Sequence, residues 1–192
     1  MRRLFIIPLL LITICGTLVN AQQVSFIKYT VYDGLVANPI KCIYQDSKGF
    51  IWIGTYDGLS RYDGYKFTNY TSMNGLSHNL VNSIIETGGK LLVAENNGAI
   101  DVIQNNITIQ KTYKVPSAVN VLGLHNNRLL ITTDESGFYE YKNDSTISLA
   151  KSKNISPFGH FISIGDSALL CSGVDDDLLL FLSDLPASGF RD

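Results

Sequence analysis

Cysteine and charge are scarce in this sequence of 192 residues. Only 17% of the residues are charged, with 15 basic side chains against 17 acidic ones, and there are three cysteines. No Cys-x-x-Cys pair or Cys/His cluster occurs, so the pattern gives no support to a zinc site. The slight acidic excess also disfavours nucleic-acid binding, which requires a basic patch.

Long apolar runs are confined to the N-terminus. Arg2 and Arg3 precede an almost wholly apolar run from Leu4 to Val19, and small residues suit cleavage after Ala21. This three-part pattern predicts a secretory signal peptide over residues 1–21. The alternative is a membrane anchor, but the apolar run falls short of the roughly 20 residues that a spanning helix needs.

Cleavage at that point gives a mature chain that begins at Gln22. It has 13 basic residues against 17 acidic ones, a net charge of −4. Cys15 raises the alternative of a lipoprotein, which the bulky residues before it disfavour. The longest later apolar run, Leu178 to Leu182, suits a buried strand and is too short to span a membrane.

A repeat of about forty residues organises the rest of the chain. Each unit has an apolar run, a polar turn, a second apolar run and a second turn. The four units are residues 42–70, 83–110, 121–149 and 161–185. The second turns end at Gly58, Gly98, Gly137 and Asp177, which are 40, 39 and 40 residues apart. We expect Cys42 and Cys171, in the first and fourth units, not to pair.

The repeat unit is predicted to consist of strands. Phe50–Ile53 and Leu59–Tyr62 are short runs of aromatic and β-branched types, and Asp63-Gly64 predicts a two-residue type I′ hairpin before a strand Tyr65–Tyr70. Four short antiparallel strands cannot bury both faces alone, and radial stacking buries them. The fold class is therefore all-β, with about four four-stranded β-propeller blades. A solenoid and a sandwich fit the forty-residue period less well.

The first unit resembles the two-component regulator propeller repeat. The resemblance rests on the Asp46–Gly49 turn, on Trp52-Ile53-Gly54-Thr55 and on Gly58-Leu59-Ser60-Arg61-Tyr62. Tyr29 to Leu35 resembles the family's opening segment, and Asn74-Gly75-Leu76 repeats it before the second unit. The later units lack the Trp, and the fourth has Asp177 where Gly is expected.

The resemblance implies a periplasmic sensor domain of a hybrid two-component kinase, responding to oligosaccharides. Such propellers have about seven blades, so we expect residues 22–185 to be part of a propeller and residues 186–192 to be an unstructured tail. The downstream kinase portion is absent from this chain. A complete four-bladed protein is the alternative to a truncated one. Ser25 to Tyr32 resembles a strand that closes a propeller ring.

Trp52 and two acidic residues are the first candidates for a site. Trp52 has the side chain to stack on a sugar, but we expect it to pack between blades. Asp46 and Asp57 suggest a carboxylate pair for glycoside chemistry, but both lie in turns beside glycine, where Asp caps backbone groups.

The other candidates are weaker. Asp175–Asp177 suggests calcium but lacks the further ligands of a known loop, so a solvated turn is expected. His78, His125 and His160 have no metal-ligand spacing. Arg61 and Tyr62 lie on a predicted strand of undetermined face.

The sequence thus assigns no catalytic, cofactor or metal residue and leaves the ligand-binding residues undetermined. The leading hypothesis is a non-catalytic, exported ligand-sensing propeller. The alternatives are a secreted polysaccharide lyase or hydrolase and a protein-binding scaffold.

Overall fold

A computed structural model describes residues 25–104, 108–134, 137–142, 145–150, 160–164, 168–172 and 178–182. The predicted signal peptide (1–21), the tail (186–192) and the Asp175–Asp177 turn lie outside these residues, so the expectations for them stay predictions.

The described residues form four antiparallel sheets, each with its strands in sequence order. Blade one contains β1 Ile40–Gln45, β2 Ile51–Thr55, β3 Leu59–Tyr62 and β4 Phe67–Tyr70. Blade two contains β5 Val81–Thr87, β6 Lys90–Glu95, β7 Ala99–Gln104 and β8 Thr108–Lys114. Blade three contains β9 Val119–His125, β10 Arg128–Thr133, β11 Gly137–Lys142 and β12 Ser145–Ala150. Blade four has three described strands, β13 His160–Ile164, β14 Ala168–Ser172 and β15 Leu178–Leu182.

The first strands of the blades lie at the centre of the fold. Strand β5 lies beside both β1 and β9, and β9 lies beside β13. The first strands contact one another more extensively than the fourth strands β8 and β12 do, so the first strands surround a common axis and later strands lie farther out. This arrangement confirms the predicted all-β propeller architecture.

The glycines that define the repeat are required by the backbone. Gly58, Gly98 and Gly137 have φ angles of 145°, 83° and 102°. Residues that have a Cβ rarely adopt positive φ angles. At Gly58 a Cβ would also lie 2.5 Å from the carbonyl oxygen of Tyr70. The forty-residue spacing of glycine is therefore the spacing of a recurring turn with positive φ.

The hairpin predicted at Asp63-Gly64 is longer than expected. Tyr62 pairs with Phe67, so Asp63–Lys66 form a four-residue connection, and β4 begins at Phe67 rather than at Tyr65. The carboxylate oxygen Oδ1 of Asp63 accepts hydrogen bonds of 2.9 Å from the N–H groups of Tyr65 and Lys66. This cap keeps both residues in the turn.

Two-residue turns with positive φ occur elsewhere in the repeat. Gly88 and Gly89 connect β5 to β6 with φ angles of 56° and 71°. Asn126 and Asn127 connect β9 to β10 with φ angles of 49° and 59°. Positive φ at both positions is the mark of the type I′ hairpin.

The strand predicted over Ser25 to Tyr32 does not extend to Tyr32, and the pairing of residues 25–30 with a further blade stays a prediction. Residues 25–30 have no regular structure and lead into a 3-10 helix, Val31–Asp33. The Asp33 carboxylate accepts a hydrogen bond of 2.7 Å from the Thr30 N–H, and the Thr30 hydroxyl accepts one of 3.2 Å from the Tyr32 N–H. This capping box turns the chain where an extended strand would continue.

The same cap recurs before blade two. A second 3-10 helix, Ser72–Asn74, has Thr71 and Asn74 in the capping box. Leu35 and Leu76, which follow the two helices, are both buried. The repetition that the sequence suggested at Asn74-Gly75-Leu76 is therefore a repeated connector. We call residues 71–80 the second connector.

The hydrophobic core lies between the blades. One cluster joins blades one and two, with buried residues Trp52, Leu59, Tyr70, Leu76, Val81, Ile84, Leu91, Val93 and Ile103. A second cluster joins blades two and three, with Leu92, Ala94, Ile100, Val102, Tyr113, Val115, Val119, Leu122, Leu129, Ile131 and Tyr139. Blade two thus packs one face on blade one and the other on blade three, which is how a propeller buries sheets that are too small to be stable alone.

Candidate ligand-binding face of the propeller

Trp52 belongs to the core between the blades. It is fully buried, and its indole N–H donates a hydrogen bond of 2.8 Å to the Asp46 carboxylate. The Arg61 guanidinium lies 5.9 Å from the Trp52 ring centroid and 4.7 Å from that of Phe50. The prediction that Trp52 packs between blades is confirmed, and its ring has no surface for a sugar.

The two carboxylates of blade one do not form a pair. Asp46 and Asp57 flank opposite ends of β2. Oδ2 of Asp46 accepts the bond from Trp52, and Oδ1 accepts hydrogen bonds from the N–H groups of Lys48 and Phe50, at 3.0 and 2.9 Å. Asp46 is therefore a turn cap, as the sequence predicted, while Asp57 lies exposed in the β2–β3 turn.

The other candidates are spread across the fold. Tyr62 donates a hydrogen bond to the Gly64 carbonyl oxygen, and its ring lies 5.2 Å from that of Tyr29. The imidazole of His78 accepts a hydrogen bond from the Leu80 N–H, and His125 is buried at the end of β9. Among the described residues, no cluster of three or more His, Cys, Asp or Glu could hold a metal ion.

Cys42 is a free thiol on the innermost strand of blade one. Burial raises the pKa of this thiol from 9.0 to about 12, although the Gly54 backbone and Lys41 act against the rise. The thiol is therefore protonated and inert at neutral pH.

The strand directions give the propeller two different faces. The β2–β3 turns and the connectors between blades lie at one end of the strands, and we call this end the connector face. The β1–β2 and β3–β4 turns lie at the other end. Tyr62, Asp46 and the Asp63–Lys66 turn belong to the second face, whereas Tyr56 and Asp57 belong to the connector face.

A β-bulge interrupts the first strand of each of the first three blades. Ile40 pairs with Thr55 and Cys42 with Gly54, which leaves Lys41 as the extra residue. By the same shift, Asn82 is the extra residue in β5 and Asn120 in β9. Bulges redirect side chains and are frequent beside functional sites. Here they place a polar residue at the same level of three neighbouring inner strands.

A turn residue from the same blade accompanies each bulge. These residues are Tyr56, Asn96 and Asp134, the first positions after β2, β6 and β10. The N–H groups of Asn96 and Asp134 donate hydrogen bonds of 3.1 and 3.0 Å to the carbonyl oxygens of Leu80 and Ala118 in the connectors. We call the set Lys41, Asn82, Asn120, Tyr56, Asn96 and Asp134 the mouth residues.

Contacts join bulge to turn in two of the blades. The Lys41 ammonium lies 5.3 Å from the centroid of the Tyr56 ring, a cation–π distance. The Asn82 amide donates to the Asn96 side-chain oxygen at 3.2 Å and to the Val119 carbonyl oxygen at 2.9 Å. The second bond connects blade two to the inner strand of blade three.

The mouth residues offer a mixed polar and aromatic surface. Tyr56 is 47% exposed and the neighbouring Ile40 is 46% exposed. A cation, three amides, a carboxylate and an aromatic face suit a ligand rich in hydroxyl groups. Sequence reasoning missed this set. The one available signal was the polar residue in Val81-Asn82 and again in Val119-Asn120, at the start of an apolar run.

Comparisons with known proteins agree with this architecture. Residues 34–57 match the family model described as two component regulator propeller, which confirms the resemblance found in blade one. A curated relative, Histidine kinase P4 from Formosa agariphila, is 33% identical over 72 residues. These residues are 36% of this chain and 5% of that relative, so the chain spans only a small part of its length.

Two solved structures show the fold. The extracellular domain assigned to a hybrid two-component system of B. thetaiotaomicron has a TM-score of 0.67 at 17% identity, over 81% of this chain and 25% of that one. The WD40 β-propeller domain of Doa1 has a TM-score of 0.59 at 14% identity, over 76% of this chain and 52% of that one. The protein therefore shares the β-propeller fold, and part of it is similar to the repeats of two-component sensors.

Within the described residues, neither 3-10 helix has the length or apolar character needed to cross a bilayer.

Proposed function

We propose that this chain is the ligand-sensing part of an exported two-component signalling protein and that its ligand binds at the mouth residues. The observation that carries the proposal is the recurrence of one bulge, with a polar residue, on three adjacent inner strands. A bulge costs ladder hydrogen bonds, and its repetition at the axis is typical of a functional surface.

The chemistry of the mouth favours an oligosaccharide. An exposed tyrosine ring can pack against the apolar face of a sugar, and asparagine side chains both donate to and accept from hydroxyl groups. Family resemblance supports the same ligand class. Signal peptide cleavage after residue 21 would place the mature protein in the periplasm, in keeping with the extracellular assignment of the similar domain.

The contacts of Asn82 suggest how binding would be transmitted. Its amide holds the backbone of blade three through Val119. A ligand hydroxyl that competes for this amide would change the contact between blades two and three. Because the blades pack face to face through a dense core, a change at one interface moves the next blade as a unit.

We propose that the mouth residues bind a ligand without catalysing a reaction. The named side chains include no nucleophile with an adjacent base and no pair of carboxylates flanking a common point. The rival hypothesis of a secreted lyase or hydrolase is tested by incubating the purified protein with polysaccharides and measuring released sugar. Release that survives repurification and is lost on substitution of the mouth residues would establish the enzyme instead.

Binding is tested by screening the secreted chain on an array of neutral and acidic oligosaccharides and then titrating the strongest binder by calorimetry. Tyr56→Ala and Lys41→Ala should each weaken binding about tenfold or more. Tyr65→Ala and Lys66→Ala are matched controls, because both residues are exposed in a turn on the opposite face. Equal losses of binding affinity in the two pairs of variants, or a loss only in the control pair, would contradict the proposed site.

A further inference from the structure

Two buried carboxyl groups lie beneath the mouth residues, at the junction of blade two with the second connector. Glu95 ends β6 and Asp101 lies within β7, and both are fully buried. Glu95 directly precedes the mouth residue Asn96. Two carboxylates in one buried site repel each other, and burial penalises the charge of each.

Asp101 joins the second connector to blade two. It accepts hydrogen bonds from the Ser77 N–H at 2.8 Å, the Ser77 hydroxyl at 2.7 Å and the Thr112 hydroxyl at 2.6 Å. The two bonds from Ser77 hold the second connector against β7, so Asp101 has a structural role.

Glu95 has no comparable set of donors. Both of its oxygens are buried without a hydrogen bond of normal geometry. Burial, followed by the charge of Asp101, raises the pKa of Glu95 from 4.5 to about 9, and the backbone N–H groups of His78 and Ser77 oppose the rise. His78 is the titratable residue of the connector, and its Nδ1 accepts a hydrogen bond from Leu80.

The equivalent positions in the neighbouring blades are neutral. Thr55 and Thr133 pair with the residue before the bulge, as Glu95 does, and their hydroxyls donate to the carbonyl oxygens of Gly58 and Gly137. Ser60 occupies the place of Asp101 in blade one and accepts a hydrogen bond from the Val36 N–H. Of these three blades, only blade two has a carboxyl group at the last residue of its second strand and another on its third strand.

We propose that the buried, unpartnered carboxyl group of Glu95 holds a proton, and that this proton controls how closely the second connector packs on blade two. At neutral pH the protonated Glu95 places no second charge in the site. When the proton leaves to solvent, the two like charges repel, and the Ser77–His78 backbone moves away from β7. Asn96 is held by Leu80 of the same connector, so the mouth would change with pH. The effect on the mouth residues rests on the proposed function, whereas the protonation of Glu95 does not.

The sign of the effect on stability follows from the two states of Glu95. The unfolded chain releases this proton near pH 4.5, and the folded chain keeps it until about pH 9. The folded state therefore holds the extra proton in this window, and stability falls as pH rises through it. One proton changes the unfolding equilibrium constant by up to about tenfold per pH unit.

The experiment measures the unfolding equilibrium of the full chain from pH 5 to 9, without any ligand, in wild type, Glu95→Gln and Asp101→Asn. Glu95→Gln should abolish most of the pH-dependent rise in the unfolding constant, because glutamine is neutral throughout. Asp101→Asn should narrow the pH range over which stability falls, because it removes the neighbouring charge that helps to raise the pKa of Glu95. Glu86→Gln is the control, since that carboxylate binds Ser47 between blades one and two and should leave the slope unchanged.

An infrared difference spectrum of wild type against Glu95→Gln should also show a protonated carboxyl band at pH 7 that disappears above pH 9. If Glu95→Gln keeps the wild-type dependence of the unfolding constant on pH, or if the carboxyl band is missing, the protonation of Glu95 is disproved. It is also disproved by stabilisation of wild type but not Glu95→Gln by added calcium chloride, because a cation would then neutralise the site. If Glu95→Gln fails to fold, the band and slope in Asp101→Asn decide the question.

Discussion

Ile43 and Ile84 occupy the same position in successive blades, but Ile43 is 63% exposed and Ile84 is 6% exposed. Ile43 pairs with Ile53 of the next strand, and Ile84 pairs with Val93 in the same way. Ile84 packs in the cluster between blades one and two. The equivalent face of blade one has no described blade against it, so identical side chains at equivalent places have different energetic roles.

We expect this difference to appear in stability. Ile84→Ala should cost about 2–5 kcal/mol, because it removes buried methyl groups and leaves a cavity. Ile43→Ala should cost less than about 1 kcal/mol, as is usual for exposed positions. Urea denaturation of both variants tests this. Similar losses in the two variants would mean that the Ile43 face is covered in solution.

The turn of blade one gives a second pair of variants. Asp46→Ala removes the acceptor of the Trp52 indole N–H and of two backbone N–H groups, and should cost about 1–3 kcal/mol. Asp57→Ala, in the exposed turn at the other end of β2, should stay within about 0.5 kcal/mol. Trp52→Ala should cost about 3–5 kcal/mol. Thermal unfolding measures all three, and an equal effect of the two Asp variants would disprove the cap.

Gly54 should resist substitution because the inner strands approach closely there. A Cβ at Gly54 would lie 2.5 Å from the Cys42 sulfur and 2.7 Å from a methyl carbon of Val81 in blade two. Gly54→Ala should therefore cost about 1–3 kcal/mol. In a double-mutant cycle, Cys42→Ala should recover part of this loss. Strict additivity of the two changes would show that the sulfur does not restrict the site.

Cys42 should be slow to react. Its raised pKa and its burial keep the thiolate population very small at pH 8. In a Cys171→Ser background, alkylation by iodoacetamide should be at least about a hundredfold slower in the folded protein than in guanidinium chloride. Equal rates in the two conditions would show that the inner strand is open to solvent.

The signal peptide stays a prediction of the sequence. We expect the secreted protein to begin at Gln22, as measured by mass spectrometry of the intact chain. Retention of Met1 and of the apolar run would instead support the membrane anchor. The mature chain would in that case carry Arg2 and Arg3 as well.

The repeat was visible in the sequence because its chemistry is local. A turn with positive φ needs glycine whatever surrounds it, so Gly58, Gly98 and Gly137 mark the blades directly. The burial of Trp52 could also be predicted, since an aromatic residue within a short apolar strand faces a core. The turn at Asp63 was placed correctly and given the wrong length, because its length depends on which N–H groups the carboxylate caps.

The strand content, the forty-residue period and the blade fold could be predicted from the sequence, because alternation and turn chemistry act over a few neighbouring residues. Which polar residues contact one another depends on the packing of the blades. Lys41 and Tyr56 are 15 positions apart, and Asn82 contacts Val119 in another blade. Glu95 and Asp101 lie close in sequence, but their burial depends on the connector packed over them. Those contacts are set by the register of strands and the packing of blades, which no local pattern records.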